Sequence, residues 1–149
     1  MMRRWTALSA ALAAGVLGSV LVATPASAST TAQRSCSVSV DAGTFRLTVS
    51  ADYVDNATTR IRTWTGFRFL LRGGPTDNDH NNVNIRVYEY GVEKWAYNSP
   101  DYLEYDRSYR LGTATPVRTR MTAPVLLTFE GIFDVSLGAD PSCTAWVYA

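Results

Sequence analysis

The stretch TFRLTVSADYV, residues 44–54, alternates apolar and polar side chains along its length. Five apolar side chains of this stretch carry odd numbers: Phe45, Leu47, Val49, Ala51 and Tyr53. Period-two alternation places successive side chains on opposite faces of a strand, so that one face meets a core and the other meets water. Residues 44–54 therefore predict a half-buried β-strand.

Similar segments recur through the rest of the chain. They are CSVSV (36–40), TRIRTWTGFRFLLRG (59–73), NNVNIRVYEYG (81–91), EKWAYN (93–98), RSYRLG (107–112), VLLTFEGIFDV (125–135) and CTAWVY (143–148). Turn-forming Gly, Asn, Asp and Pro separate most of them, and helix signals are nearly absent after residue 35. Short strands without intervening helices predict an all-β, antiparallel β-sandwich of the immunoglobulin-like kind, with a small β-barrel as the alternative.

The first 28 residues have the composition of a secretory signal peptide. A basic start, MMRRW, precedes an apolar run, and the small residues Ala26 and Ala28 stand where a signal peptidase cleaves. The competing interpretation is a membrane anchor, which needs about twenty consecutive apolar residues; this run is a little shorter. We therefore expect a secreted chain with a short disordered N-terminus over 29–33, a single domain over 34–149 and no membrane contact after cleavage.

Cysteine content and charge restrict the function further. In an exported domain, the two cysteines, Cys36 and Cys143, predict one disulfide. Without Arg3 and Arg4, 12 of the 14 basic side chains remain against 13 acidic ones. This balance lacks the basic excess of a nucleic-acid-binding protein. We expect a monomer without a nucleic-acid partner; its arginine-rich, lysine-poor composition has the general appearance of small single-disulfide sandwiches that bacteria export.

The loop GGPTDNDHNN, residues 73–82, matches the twelve-residue calcium-binding pattern only in part. Three residues fit its first, third and fifth positions: Asp77, Asp79 and Asn81. The sixth position holds Asn82 instead of glycine, and the twelfth holds Tyr88 instead of glutamate. The sequence thus favours a solvated turn and no cofactor, with these three residues as weak candidates for an irregular calcium site.

Catalytic patterns are absent from the sequence. His80 is the only histidine, and neither a nucleophile-elbow motif nor a zinc-protease motif is present. Glu89 with Glu93, or Glu104 with Asp106, could act as the acid pair of a glycosidase, but nothing in the sequence brings either pair together. We do not expect an enzyme, and a small hydrolase is the least favoured of three functions.

Aromatic residues are concentrated in VYEYGVEKWAYNSPDYLEYDRSYR, residues 87–110. Rings beside carboxylates suit sugar stacking or protein contacts, whereas the alternative is that they form the core of the second sheet. The predicted ligand-binding residues are Trp95, Tyr88, Tyr90, Tyr97 and Tyr102, with Trp95 as the expected anchor. The leading hypothesis is a non-catalytic binding module for an extracellular or cell-wall carbohydrate or protein. The second is a secreted inhibitor of a protease or other hydrolase that presents loop 73–82 or 97–106.

Arginines add one further pattern. Arg62, Arg68 and Arg72 share even numbering with Trp64, and Arg118 shares it with Arg120. Strand alternation then predicts an arginine-bearing sheet face that could meet an anionic partner. A solvated, salt-bridged face is the alternative.

Overall fold

Eight β-strands and no helix are present in the computed structural model, which describes residues 29–41, 43–73, 80–135 and 139–149. In chain order the strands are β1 (Ser29–Val40), β2 (Gly43–Asn56), β3 (Ile61–Arg72), β4 (Asn82–Glu89), β5 (Val92–Asn98), β6 (Ser108–Arg120), β7 (Val125–Ile132) and β8 (Ser142–Tyr148). They form two antiparallel four-stranded sheets. Sheet I has the order β1-β2-β3-β6, and sheet II has the order β5-β4-β7-β8.

The chain crosses between the sheets three times, after β3, β5 and β6. This order places β3 beside β6 in one sheet and β4 beside β7 in the other, as in immunoglobulin-like sandwiches. The predicted sandwich is confirmed. A barrel is not formed, because each sheet keeps two edge strands of its own.

Alternating side chains of both sheets fill the space between them. On β2 the alternation predicted from residues 44–54 is confirmed, since Phe45, Leu47, Val49 and Ala51 are at most 1% exposed. Sheet II contributes the opposite layer from β4 and β7, whose buried apolar side chains are Val83, Ile85, Val87, Val125, Leu127 and Phe129. Each such side chain contributes about 1.5 to 3 kcal/mol by leaving water, so the side chains between the two sheets stabilise the sandwich.

The predicted disulfide is confirmed and joins the two sheets. Cys36 in β1 is bonded to Cys143 in β8, with their Cα atoms 5.8 Å apart and a sequence separation of 107 positions. In immunoglobulin domains the corresponding bond joins central strands, whereas here it joins an edge strand of sheet I to an edge strand of sheet II. A disulfide fits a protein of an oxidising, extracellular compartment. Within the described ranges, no helix is long and apolar enough to cross a membrane.

The expected disorder at the N-terminus of the domain needs correction. Residues 29–33, expected to be disordered, pair with β2 as the first part of β1, and the Thr31 hydroxyl donates to an Asp52 carboxylate oxygen at 2.7 Å. Most of β1 is solvent-exposed, so its sequence lacks the apolar repeat that indicates a half-buried strand.

Strand β3 contains a bulge at Thr65 that divides the predicted arginine face. The register of β3 shifts between Trp64 and Gly66 against both of its neighbours. Side chains before the bulge therefore change face relative to those after it. Arg62 lies with the buried Trp64 and is paired with Asp55 at 2.7 Å, whereas Arg68 projects outward.

Candidate functional site

The aromatic segment 87–110 is divided between two surfaces of the sandwich. Tyr97 and Tyr102 line a cleft between the edge strands β5 and β6. Tyr88 and Tyr90 border a separate groove beside β7 and β8. The structure thus brings four of the five predicted ligand-binding residues together in two pairs, and Trp95 lines neither surface.

The first surface is a cleft of about 330 Å³, which we call the edge cleft. It opens where β5 and β6, the edge strands of the two sheets, lie without backbone pairing between them in the described residues. Its lining consists of Phe69, Tyr97, Pro100, Tyr102, Leu103, Glu104, Arg107, Tyr109, Arg110 and Leu111. Ring faces, hydroxyls, one carboxylate and two guanidinium groups therefore share one opening.

Tyr109 and its neighbours form one wall of the edge cleft. The Tyr109 ring stacks on Phe69 with centroids 5.4 Å apart, and its hydroxyl accepts a hydrogen bond from the Glu104 backbone N–H at 2.8 Å. The Arg107 guanidinium donates to both Glu104 carboxylate oxygens at 3.1 and 3.2 Å and lies 5.6 Å from the Tyr109 ring centroid. This ion pair is exposed, so its contribution to stability is small, but it presents a charged donor and acceptor at the cleft.

Tyr97 lines the other wall, whereas the predicted anchor, Trp95, lies behind it and is not part of the cleft lining. Trp95 is half-buried, stacked on Phe67 at 5.1 Å on the core side and on Tyr97 at 6.3 Å. Burial raises the pKa of Tyr97 above its ordinary value, and nearby Tyr102 raises it further. Tyr97 therefore keeps its hydroxyl proton at neutral pH and can donate as well as accept a hydrogen bond. Trp95 supports Tyr97 from behind, and Tyr102, which is 65% exposed, lies at the rim.

Asn81 holds the segment that connects β5 and β6. Its side-chain amide donates to the Leu103 carbonyl at 2.8 Å, and its side-chain oxygen accepts the Asp134 backbone N–H at 2.9 Å. The Leu103 N–H in turn donates to the Asn81 carbonyl at 2.9 Å. Asn81 is fully buried and acts as a backbone anchor.

Of the three weak metal candidates, the structure describes only Asn81. Asp77 and Asp79 lie outside the described residues, and the Asn81 side-chain oxygen already accepts the Asp134 N–H. Among the residues that the structure describes, no group of three or more His, Cys, Asp or Glu side chains could hold a metal ion. His80 is exposed, with its Nδ1 3.8 Å from an Asp134 carboxylate oxygen.

The second surface, which we call the outer aromatic patch, consists of Tyr88, Tyr90, Leu126 and Tyr148 around a groove of about 390 Å³, together with the exposed Trp146 two residues before Tyr148 on β8. Tyr88, Leu126 and Tyr148 are cross-strand neighbours on β4, β7 and β8. The exposed fractions of Tyr90, Trp146 and Tyr148 are 58%, 57% and 68%. The part contributed by β8 could have been found from CTAWVY, where Ala145 and Val147 alternate with Trp146 and Tyr148.

The acid pairs proposed for hydrolysis have other partners. Glu89 accepts the Arg120 backbone N–H at 2.7 Å and lies 3.3 Å from Lys94, and these contacts hold its pKa below the ordinary value despite burial. A glycosidase acid needs the opposite shift, a raised pKa. Glu93 pairs with Arg86 at 3.6 Å.

No protein-family model matches the chain, and no curated protein is significantly similar to it.

Proposed function

We propose that the protein is a secreted, non-catalytic carbohydrate-binding module that holds a sugar unit in the edge cleft. The observation that carries the proposal is the combination of aromatic faces and polar groups in one cleft of about 330 Å³. Small-ligand sites in proteins usually start near this size and combine apolar walls with a few fixed polar groups.

A pyranose ring has the complementary chemistry, because its C–H faces are apolar and its hydroxyls project around the rim. The exposed Tyr102 ring offers a stacking surface at the mouth. The Tyr97 hydroxyl and the Glu104–Arg107 pair offer hydrogen-bond donors and acceptors. Charge-assisted bonds from the carboxylate and guanidinium are stronger than those between neutral groups, so they would fix the orientation of a bound sugar.

Secretion is supported by two independent features. Residues 1–28 have the signal-peptide composition described above. The Cys36–Cys143 disulfide is stable in the extracellular compartment to which such a signal leads.

The test compares Tyr102→Ala with Tyr148→Ala. Both tyrosines are similarly exposed, at 65% and 68%, but only Tyr102 lines the edge cleft. Sedimentation with insoluble cellulose, chitin, xylan and peptidoglycan identifies the polymer, and calorimetry with its soluble oligosaccharide gives the Kd. We expect Tyr102→Ala to weaken binding by about 2 kcal/mol, as a central aromatic contact does, and Tyr148→Ala to leave it unchanged.

Two results would contradict the proposal. Loss of binding in Tyr148→Ala alone would place the sugar on the outer aromatic patch. If the wild-type protein binds none of the four polymers, the edge cleft is not a site for these carbohydrates. Equal melting temperatures of both variants and wild type are the control for folding.

A further inference from the structure

The outer face of sheet I carries arginines in an arrangement that strand pairing makes unfavourable. Arg46 on β2 is directly opposite Arg72 on β3, and Arg68 on β3 is directly opposite Arg110 on β6. All four side chains are exposed. Directly opposed residues have Cβ atoms about 4.5 to 5.5 Å apart, and like charges at that separation destabilise a sheet.

Carboxylates balance only part of this charge. Arg68 is paired with Asp52 at 2.5 Å, and Arg72 lies 3.8 Å from Asp106. Arg46 donates to the Ser35 hydroxyl at 3.1 Å, and within the described residues Arg110 has no ion pair. Within the part of the chain that the structure describes, four guanidinium groups thus face two paired carboxylates, although the whole chain has a net charge of only +1.

A row of short or uncharged side chains separates the two arginine pairs. Thr48, Leu70 and Ser108 are cross-strand neighbours on β2, β3 and β6 and lie two residues from each pair. At about 3.3 Å per residue, the two arginine pairs are about 13 Å apart. A shallow depression of about 190 Å³ lies over this row and extends to Ser50.

We propose that this face, the arginine groove, binds an extended acidic polysaccharide. The polymer would lie across the strands over the row of Thr48, Leu70 and Ser108, with its anionic groups reaching an arginine pair on either side. Guanidinium groups bind carboxylates and sulfates through paired hydrogen bonds. The hydroxyls of Thr48 and Ser108 supply partners for the sugar hydroxyls between the charged groups.

An acidic polysaccharide fits this face better than a lipid surface does. Membrane-surface proteins bury exposed apolar side chains among the lipid headgroups as well as using charge. The exposed large apolar residues of the described chain are Val40, Tyr90, Val92, Tyr102, Trp146 and Tyr148. None of them lies in the arginine groove.

The experiment uses the double variant Arg46→Gln/Arg110→Gln, which removes one arginine from each opposed pair and leaves both ion-paired arginines in place. The matched control is Arg34→Gln/Arg60→Gln, which removes the same charge from exposed sites outside the groove. The Kd for polygalacturonate is measured at low and high salt, with neutral dextran as the uncharged polymer. We expect the groove variant to bind about tenfold more weakly and the control to change less than threefold.

Stability provides a second, independent readout. Removing one arginine from each opposed pair relieves repulsion, so the melting temperature of the groove variant should stay equal or rise while binding falls. If these arginines serve only the fold, the groove variant should have a lower melting temperature and unchanged binding of polygalacturonate.

Other results would overturn the proposal. They include a wild type that shows no salt-sensitive binding of polygalacturonate, and two double variants that lose this binding equally. Binding of phosphatidylglycerol vesicles or duplex DNA as tightly as polygalacturonate would also overturn it. Arg110 also lines the edge cleft, so the single variant Arg46→Gln, which lies outside that cleft, separates the two proposals and should also weaken polygalacturonate binding. Tyr102→Ala in turn leaves the groove intact.

Discussion

The two open sides of the sandwich are closed in different ways. On one side β1 lies against β8, and the Cys36–Cys143 bond joins them covalently. On the other side β5 and β6 diverge and leave the edge cleft between them. A covalent bond fixes two edge strands without requiring a large buried contact, whereas the side without such a bond has room for a ligand.

Polar side chains hold the cleft side together. Asn81, immediately before β4, bonds to the Leu103 backbone in the segment between β5 and β6. Glu89, the last residue of β4, accepts the Arg120 backbone N–H at the end of β6. Both residues are buried, so each replaces water at a backbone group that would otherwise lack a partner. The two ends of β4 therefore hold the cleft side of the sandwich, one through Asn81 and the other through Glu89.

The largest expected effect comes from breaking the closed side. Cys36→Ser/Cys143→Ser removes a link across 107 residues, and loss of a native disulfide from a small domain costs about 2 to 5 kcal/mol. We expect the free energy of unfolding from urea titration to fall by this amount, with hydrogen exchange accelerated first in β1 and β8. Unchanged stability, or exchange that accelerates first in β5 and β6, would show that the disulfide is not what holds the closed side.

The sequence predicts more of the fold than of the candidate site. Alternation in residues 44–54 identified the buried side chains of β2 because one face of that strand is covered by sheet II. It misplaced Arg62, because the bulge at Thr65 leaves no mark in the period of the sequence. β1 was predicted only in part, since most of its side chains are exposed and only Ala32, Cys36 and Val38 are partly buried against the core.

The candidate site depends on contacts between distant segments. Tyr90 and Tyr97 are seven residues apart in a hairpin, yet they border different surfaces, because Tyr90 lies in the turn and Tyr97 faces the gap between the sheets. Asn81 stood in a polar stretch that favoured a solvated turn, but it is fully buried. Its role depends on Leu103 and Asp134, which are 22 and 53 residues away, so local sequence could not indicate it.

The next largest effect tests the first anchor of the cleft side. Asn81→Ala leaves the Leu103 carbonyl and the Asp134 N–H without their side-chain partner, and each buried unsatisfied group costs about 1 to 3 kcal/mol. We expect a loss of about 2 to 4 kcal/mol in urea unfolding. Asn84→Ala is the control, because Asn84 is only half-buried and bonds to Glu130 at 3.2 Å on the outer face. Equal effects of the two substitutions would mean that Asn81 is not an anchor.

The smallest effect concerns Glu89, at the other end of β4, and depends on pH. The Arg120 N–H, with Lys94 nearby, holds the Glu89 pKa below its ordinary value of 4.5, which the unfolded chain regains. Stability from Glu89 is therefore complete above about pH 5 and is lost as pH falls through 4.5 towards the lowered pKa, because the unfolded chain binds the proton first.

Glu89→Gln isolates this contribution, since its side-chain oxygen can still accept the Arg120 N–H but cannot ionise. Asp55, paired with Arg62, also has a lowered pKa, so the wild type alone would report both carboxylates. We expect Glu89→Gln to be about 1 kcal/mol less stable than wild type at pH 7, the difference between charged and neutral acceptors. The gap should close by about pH 3 in urea titrations followed by tryptophan fluorescence. A gap that stays constant between these pH values would show that the charge of Glu89 does not stabilise the open edge, and that its contribution comes from the neutral hydrogen bond alone.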